Sequence, residues 1–235
     1  MKQIFLILIL LGITSLFSLK AQSKRYGTFE VSNEQLLNLS AEKLLRDVKK
    51  IKGETWPEVR FLSRLQTDPL KSVALFLALD YQKNYVPNLV KSLPVKHVTP
   101  TEVWTEYEMK LPWPMENSRY IHSSNLSKVE NCYRVDWKLI QSTTADKVSG
   151  YATFCPIKDS KQTSFYYQNH VAPKSVFAGI FKGIMVNDTE ETLVAINKFI
   201  EDKGLNAPKL TSKYVQIIEE SLQGKSPYLH LMKTH

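Results

Sequence analysis

The chain has 235 residues, a formal net charge of +8, and 43% hydrophobic and 23% charged residues. That balance excludes a disordered chain and suits one domain with extensions, or at most one and a half domains. The lysines and arginines are scattered rather than clustered among aromatics, which argues against a nucleic-acid surface. The positive excess reads as solubility, or as an attraction to anionic lipid headgroups.

Residues 1–22 read as a leader rather than as part of the folded domain. Lys2 supplies a positive start, residues 4–19 an apolar stretch softened by Thr14, Ser15 and Ser18, and Ala21 a cleavage point before Gln22. The stretch falls short of about 20 clean apolar residues, so a cleaved signal is expected over an uncleaved anchor. Lys2 and Lys20 leave with it, taking +8 to +6. No cysteine follows the cleavage point, which argues against a lipoprotein. The mature chain is expected in a periplasm or outside the cell, as a monomer.

Residues 32–51 carry Leu37, Ala41, Leu44, Leu45, Val48 and Ile51 at amphipathic helical spacing, and Gly53 closes the run. Residues 56–65 set Val59, Phe61 and Leu65 against Arg60 and Arg64, a strand pattern. Asp68-Pro69 is a cap followed by proline at the first helical position, predicting a helix over 70–79. Residues 81–92 read as a short helix broken at Pro87. Strands are predicted over 95–98, 102–113, 119–128, 132–141, 147–157 and 163–171. After Ala172-Pro173 a long apolar helix is expected over 174–203, nicked around Asn187-Asp188, and a second helix over 210–223.

Two cysteines in an exported chain invite a disulfide. If Cys132 and Cys155 face each other across a hairpin, the same register pairs Tyr133 with Phe154, Val135 with Ala152, Trp137 with Gly150 and Leu139 with Val148. All the apolar residues then share one face, and Arg134, Asp136 and Lys138 share the other with the sulfurs. The alternative is a pair of buried free thiols.

The most informative block is 103–122, VWTEYEMKLPWPMENSRYIH. Val103, Thr105, Tyr107, Met109 and Leu111 alternate with Trp104, Glu106, Glu108 and Lys110, as in a strand with one face inward. Pro112-Trp113-Pro114 ends that strand, and a new one starts near Arg119. This block resembles the lipid-transfer domains of the START type, within the helix-grip (SRPBCC) superfamily that also holds polyketide cyclases and pollen-allergen-like proteins. Ser118-Arg119 stands where the family usually has Arg-Asp, so the usual ion-pair network of that turn is not implied. The resemblance spans roughly residues 56–203. The element order, a strand, two helices, a run of antiparallel strands and a long C-terminal helix, agrees with it.

The resemblance implies an α+β helix-grip fold, a curved antiparallel sheet wrapped around the C-terminal helix with a cavity between them. The chain then divides into a signal peptide (1–21), an N-terminal helical extension (22–55), a START-like domain (56–203) and a C-terminal helical tail (204–235). Inward faces implied for the sheet are Tyr107, Met109, Tyr133, Val135, Trp137, Phe154, Phe165 and Tyr167, with Asn169 beside them. Phe177, Ile180, Phe181 and Ile184 form the matching helix stripe. A stripe of this kind is also what an ordinary core looks like. The loop near 172–175 corresponds to a gate by family analogy. Arg119 either anchors an acidic headgroup or lies solvated on the outer face, since Tyr120 and His122 alternate opposite to it.

Enzymatic signatures are mostly missing. The sequence has no HExxH, no Cys/His cluster and no Gly-x-Ser-x-Gly elbow, and no cofactor or metal is expected. Gly224-Lys225-Ser226 lacks the upstream glycine and strand of a phosphate loop. The expected function is a non-catalytic carrier enclosing a lipid or other hydrophobic small molecule, with transient contact to an anionic membrane. The alternative is a cyclase- or aromatase-like enzyme, in which Tyr107, His122, Tyr167 or His170 would have to converge on one point.

Overall fold

The computed structural model describes residues 23–111, 116–174 and 182–228. In chain order the elements are β1 (Ser23–Tyr26), β2 (Phe29–Ser32), α1 (Asn33–Leu37), β3 (Leu45–Lys49), β4 (Glu58–Leu65), α2 (Pro69–Phe76), β5 (Leu89–His97), β6 (Glu102–Met109), β7 (Ser118–Val129), β8 (Cys132–Ser142), β9 (Ala145–Pro156), β10 (Thr163–Pro173), α3 (Lys182–Asn206) and α4 (Pro208–Leu222). β1 and β2 form a separate hairpin. The other eight strands form one antiparallel sheet in the order β3-β4-β10-β9-β8-β7-β6-β5.

The central hairpin has the register expected from its cysteines. Tyr133 pairs with Phe154, Val135 with Ala152 and Trp137 with Gly150, the ladder closing at Lys138 and Ser149. Cys132 and Cys155 are bonded, with Cα atoms 4.3 Å apart. On the polar face Arg134 pairs with Asp136 and lies 3.7 Å over the Tyr151 ring.

One face of the sheet, here the inner face, packs on the helices. Asp68 starts α2 as anticipated, its side chain accepting from the Lys71 N–H at 3.0 Å, with Pro69 in the first turn. α2 lies on β8 and β9 and against α3 and α4. Residues Val73 to Leu79, in α2 and the turn after it, join Phe61, Val135, Phe154, Phe165, Leu193, Ile200 and Tyr214 in the main core. α3 runs unbroken through Asn187 and Asp188, where a nick was expected, because both side chains point to solvent. No helix among the described residues is long and apolar enough to cross a membrane.

The N-terminal region departs from expectation. The helix predicted over 32–51 is a single short turn, α1, followed by the edge strand β3. A capping box between Ser32 and Gln35 starts α1, and Asn38 ends it. Residues 45–49 pair with β4, Leu45 opposite Leu62 and Val48 opposite Val59. Completing the sheet edge outweighs the helical spacing of a weakly apolar run. β1, β2 and α1 cover the outer face, where Tyr26, Val31, Leu36, Leu39, Leu62, Ile157 and Tyr166 make a second core. Gly27 turns that hairpin at φ +55°, and a Cβ there would land on the Tyr166 ring. Beneath the hairpin Arg60 is held by Glu58 and Asp47, and Gln168 ties Glu58 to Tyr166.

Residues 81–92 are also not the predicted helix. A 3-10 turn, Gln82–Asn84, gives way at Pro87 and at Asn88 (φ 59°) to β5, which begins six residues earlier than expected. The remaining strand predictions agree within a few residues at each end, except that β6 closes at Met109.

Candidate functional site

The inner face falls into two halves. Under α2 it is packed: Tyr133, Val135, Ala152, Phe154 and Phe165 are all buried. Phe76, in the last turn of α2, is the divider, its ring 5.3 Å from Phe154, 5.9 Å from Phe165 and 6.3 Å from Trp137.

Beyond Phe76 the inner-face residues stay only half-buried although they point toward the helical side. Met109, Tyr120, His122, Trp137, Leu139, Val148, Tyr167, Asn169 and Val171 all have this character. They belong to five adjacent strands, so they form one continuous stretch of the inner face. Aromatic side chains dominate it. Trp137 packs at 5.1 Å on Tyr167 and donates its indole N–H to Asn169 Oδ1 at 2.9 Å. Trp137 lies over Gly150, where a Cβ would stand 2.7 Å from the indole and collide with the Gln168 carbonyl.

A polar cluster sits on β6 and β7 at this end. Tyr107 stacks on Tyr120 at 5.2 Å, and His122 lies 4.6 Å from Tyr120 and 5.7 Å from Tyr107, ring centre to ring centre. His122 Nε2 is buried without a hydrogen-bond partner among the described residues. Burial alone lowers the His122 pKa to about 4, so the ring is neutral at physiological pH. Burial likewise raises the phenols of Tyr107, Tyr120 and Tyr167 far above the ordinary tyrosine value, with Thr105 and Ser92 offsetting part of the rise at Tyr107. The cluster can donate and accept hydrogen bonds, and it holds no charge.

The residues expected at the site are therefore scattered over several places. Met109, Trp137 and Tyr167 lie along the half-buried region, and Tyr107, itself buried, adjoins it. Tyr133, Val135, Phe154 and Phe165 are inward but under α2, in contact with Phe76 or its neighbours rather than with open space. Arg119 is on the outer face, exposed and paired with Glu108 at 3.4 Å, because it alternates with Tyr120 along β7. That position removes it from the inward set. Ile184 is 52% exposed at the start of α3. Phe177, Ile180 and Phe181, like Pro112-Trp113-Pro114 and the leader, lie outside the described residues.

Tyr120 and Leu139 were not among the expected site residues, and His122 was expected there only under the enzymatic alternative. Their signal was present in the alternation of 118–128, which puts Tyr120 and His122 inward as soon as Arg119 points out. His170 is on the opposite face from His122, its Nε2 4.0 Å from Glu54, so the two histidines do not converge. No group of three metal-binding side chains occurs among the described residues.

No family model and no curated protein matches the chain. Solved structures do. A STAR-related lipid transfer protein from Xanthomonas axonopodis aligns with a TM-score of 0.60 at 18% identity, over 67% of this chain and 93% of that one. The lipid transfer and protein localization domain of human StarD13 aligns at 0.54 and 12% identity, over 68% and 86%. An aromatase/cyclase from a Streptomyces species aligns at 0.51 and 10% identity, over 65% and 97%. Identities this low speak to fold and not to activity. With its eight-stranded antiparallel sheet, its α2 plug and its long C-terminal helix, the chain has the START-like helix-grip fold.

Proposed function

We propose that the protein binds one hydrophobic small molecule, a lipid or a compound of similar character, between the open half of the inner face and α3, and carries it unchanged. The observation that supports this is the run of half-buried, inward residues on five adjacent strands beside a fully packed half. Side chains on an ordinary core face are covered; these leave apolar and aromatic surface for a ligand to cover. Binding would be driven by removing that surface and the ligand's own from water, with a few polar groups setting orientation. Likeness in fold to lipid-transfer domains agrees with this reading.

The cyclase-like alternative draws on the Tyr107–Tyr120–His122 cluster and on the aromatase/cyclase neighbour. It is weakened by the outward position of His170 and because no carboxylate among the described residues is bonded to His122 to orient and activate it. We place the working protein in an exported compartment, where the Cys132–Cys155 bond would persist, with transient contact to anionic membranes through its positive excess.

Native mass spectrometry of the mature protein, followed by organic extraction, tests the proposal. A bound hydrophobic molecule at one per chain supports it. A clean apo mass that stays apo after incubation with mixed lipids would refute it.

A further inference from the structure

The chemistry of the chamber wall limits what the polar end of the ligand can be, and this inference rests on the ligand-binding reading above. Several charged side chains near the region are held by partners elsewhere. Arg119 pairs with Glu108, Lys91 with Glu106, and Arg134 with Asp136, all on the outer face. Lys174 donates to the Ser142 carbonyl and is exposed. Lys128 lies over Tyr133 at the packed end. Asp80 is bonded to Lys213 and Tyr214 on the far side of α2. Residues 112–115 and 175–181 have no ionisable side chain in their sequence. Among the described residues of the strands, the polar groups that line the inward stretch are neutral: the Tyr107, Tyr120 and Tyr167 phenols, the Asn169 amide and the His122 imidazole.

An anionic headgroup enclosed here would lose its water and gain no cation, a large net cost. A hydroxyl or carbonyl would lose little and could satisfy a group that now has no partner. We propose that the ligand carries a single uncharged hydroxyl or carbonyl end, received by His122 Nε2 with Tyr120 beside it, and that the site selects neutral amphiphiles over carboxylates and phosphates of the same chain length. A neutral imidazole presents Nε2 as donor or acceptor according to its tautomer, and a hydroxyl can answer either. The burial that keeps His122 uncharged also keeps it from acting as a substitute cation.

Two probes that differ only at one end give the test. Radiolabelled hexadecan-1-ol and hexadecanoate are equilibrated with the mature wild-type protein at pH 7.5, below their aggregation limits, and bound label is measured after rapid gel filtration. Cholesterol, with one hydroxyl on a rigid body, is run alongside to separate a ring-shaped from a chain-shaped ligand. At least one neutral probe should bind roughly tenfold or more tighter than hexadecanoate. His122→Phe should remove that preference, and His122→Gln, whose amide keeps a donor and an acceptor, should restore most of it. Hexadecanoate binding as tightly as both neutral probes overturns the inference while leaving ligand binding intact. So does a preference that is unchanged in His122→Phe. Failure of all three probes, with nothing extracted from the purified protein, overturns the ligand-binding reading itself. The wild-type comparison decides the matter even where a variant folds poorly.

Discussion

Replacing Phe76 by alanine tests whether α2 divides the inner face into a packed and an open half. The ring is 9% exposed and makes three aromatic contacts, with Phe154 at 5.3 Å, Phe165 at 5.9 Å and Trp137 at 6.3 Å. Truncation of a buried phenylalanine costs about 3–5 kcal/mol, and pairs of this kind contribute about 0.5–1.5 kcal/mol each beyond area burial. Phe76 keeps a little exposure, so the lower end, about 3 kcal/mol, is expected. Urea unfolding followed by far-ultraviolet circular dichroism would read this as a shifted midpoint with an unchanged slope. Phe76→Leu, which keeps most of the volume, should cost less than about 1.5 kcal/mol. The variant should also accept bulkier ligands, because the vacated volume adjoins the open half at Trp137. A loss below about 1 kcal/mol for Phe76→Ala would refute the divider, since it would mean the ring is not packed among its three neighbours.

The disulfide closes a loop with a sequence separation of 23. Replacing both cysteines by serine, or reducing the bond, should each cost about 3 kcal/mol on the chain-entropy relation, read by urea midpoint; a loss under about 1 kcal/mol would contradict a formed bridge. Gly150→Ala should cost about 1–3 kcal/mol by overpacking and shift Trp137 fluorescence, because the added methyl meets both the Gln168 carbonyl and the indole; an unchanged emission spectrum would contradict that contact. His122 titrates near 6.5 when unfolded and about 4 when folded, so between these values the unfolded chain binds the extra proton. Its contribution is therefore full above pH 6.5 and lost as the pH falls toward 4, by at most on the order of 3 kcal/mol. Comparing urea midpoints of wild type and His122→Gln at pH 7 and 4.5 cancels the groups they share, His97 among them, and parallel curves would refute the shift.

Much of the sheet was legible because its strands repeat a strict period of two. Val103, Thr105, Tyr107 and Met109 announce one face of β6, and pairing Cys132 with Cys155 fixes the apolar residues of β8 and β9 in one register. What failed depended on partners far along the chain. Leu45 and Val48 sit at helical spacing, but β4 offers them a ladder, and nothing in residues 32–51 announces that edge. The outer-face packing of β1, β2 and α1 was equally hidden, since Tyr166 and Leu62 become their partners only once the sheet exists. At the site, alternation sorted residues into inward and outward but could not separate packed from open. Phe154 and Trp137 share a face, and only the position of Phe76 decides that one is covered and the other half-open. Arg119 was ambiguous for a narrower reason: its side depends on where β7 joins β6, which is set by the Tyr107–Tyr120 pairing.

The proposed ligand lies between the open half of the inner face and α3. The chain has four tryptophans, of which Trp137 faces that space and Trp104 faces outward beneath Lys96 at 4.8 Å. Nuclear Overhauser contacts from the acyl protons of bound hexadecan-1-ol to the indole signals, assigned with Trp137→Phe and Trp104→Phe, would locate the chain. Strong contacts to Trp137 and none to Trp104 are expected. Contacts to Trp104, or to neither when the probe is demonstrably bound, would contradict this placement.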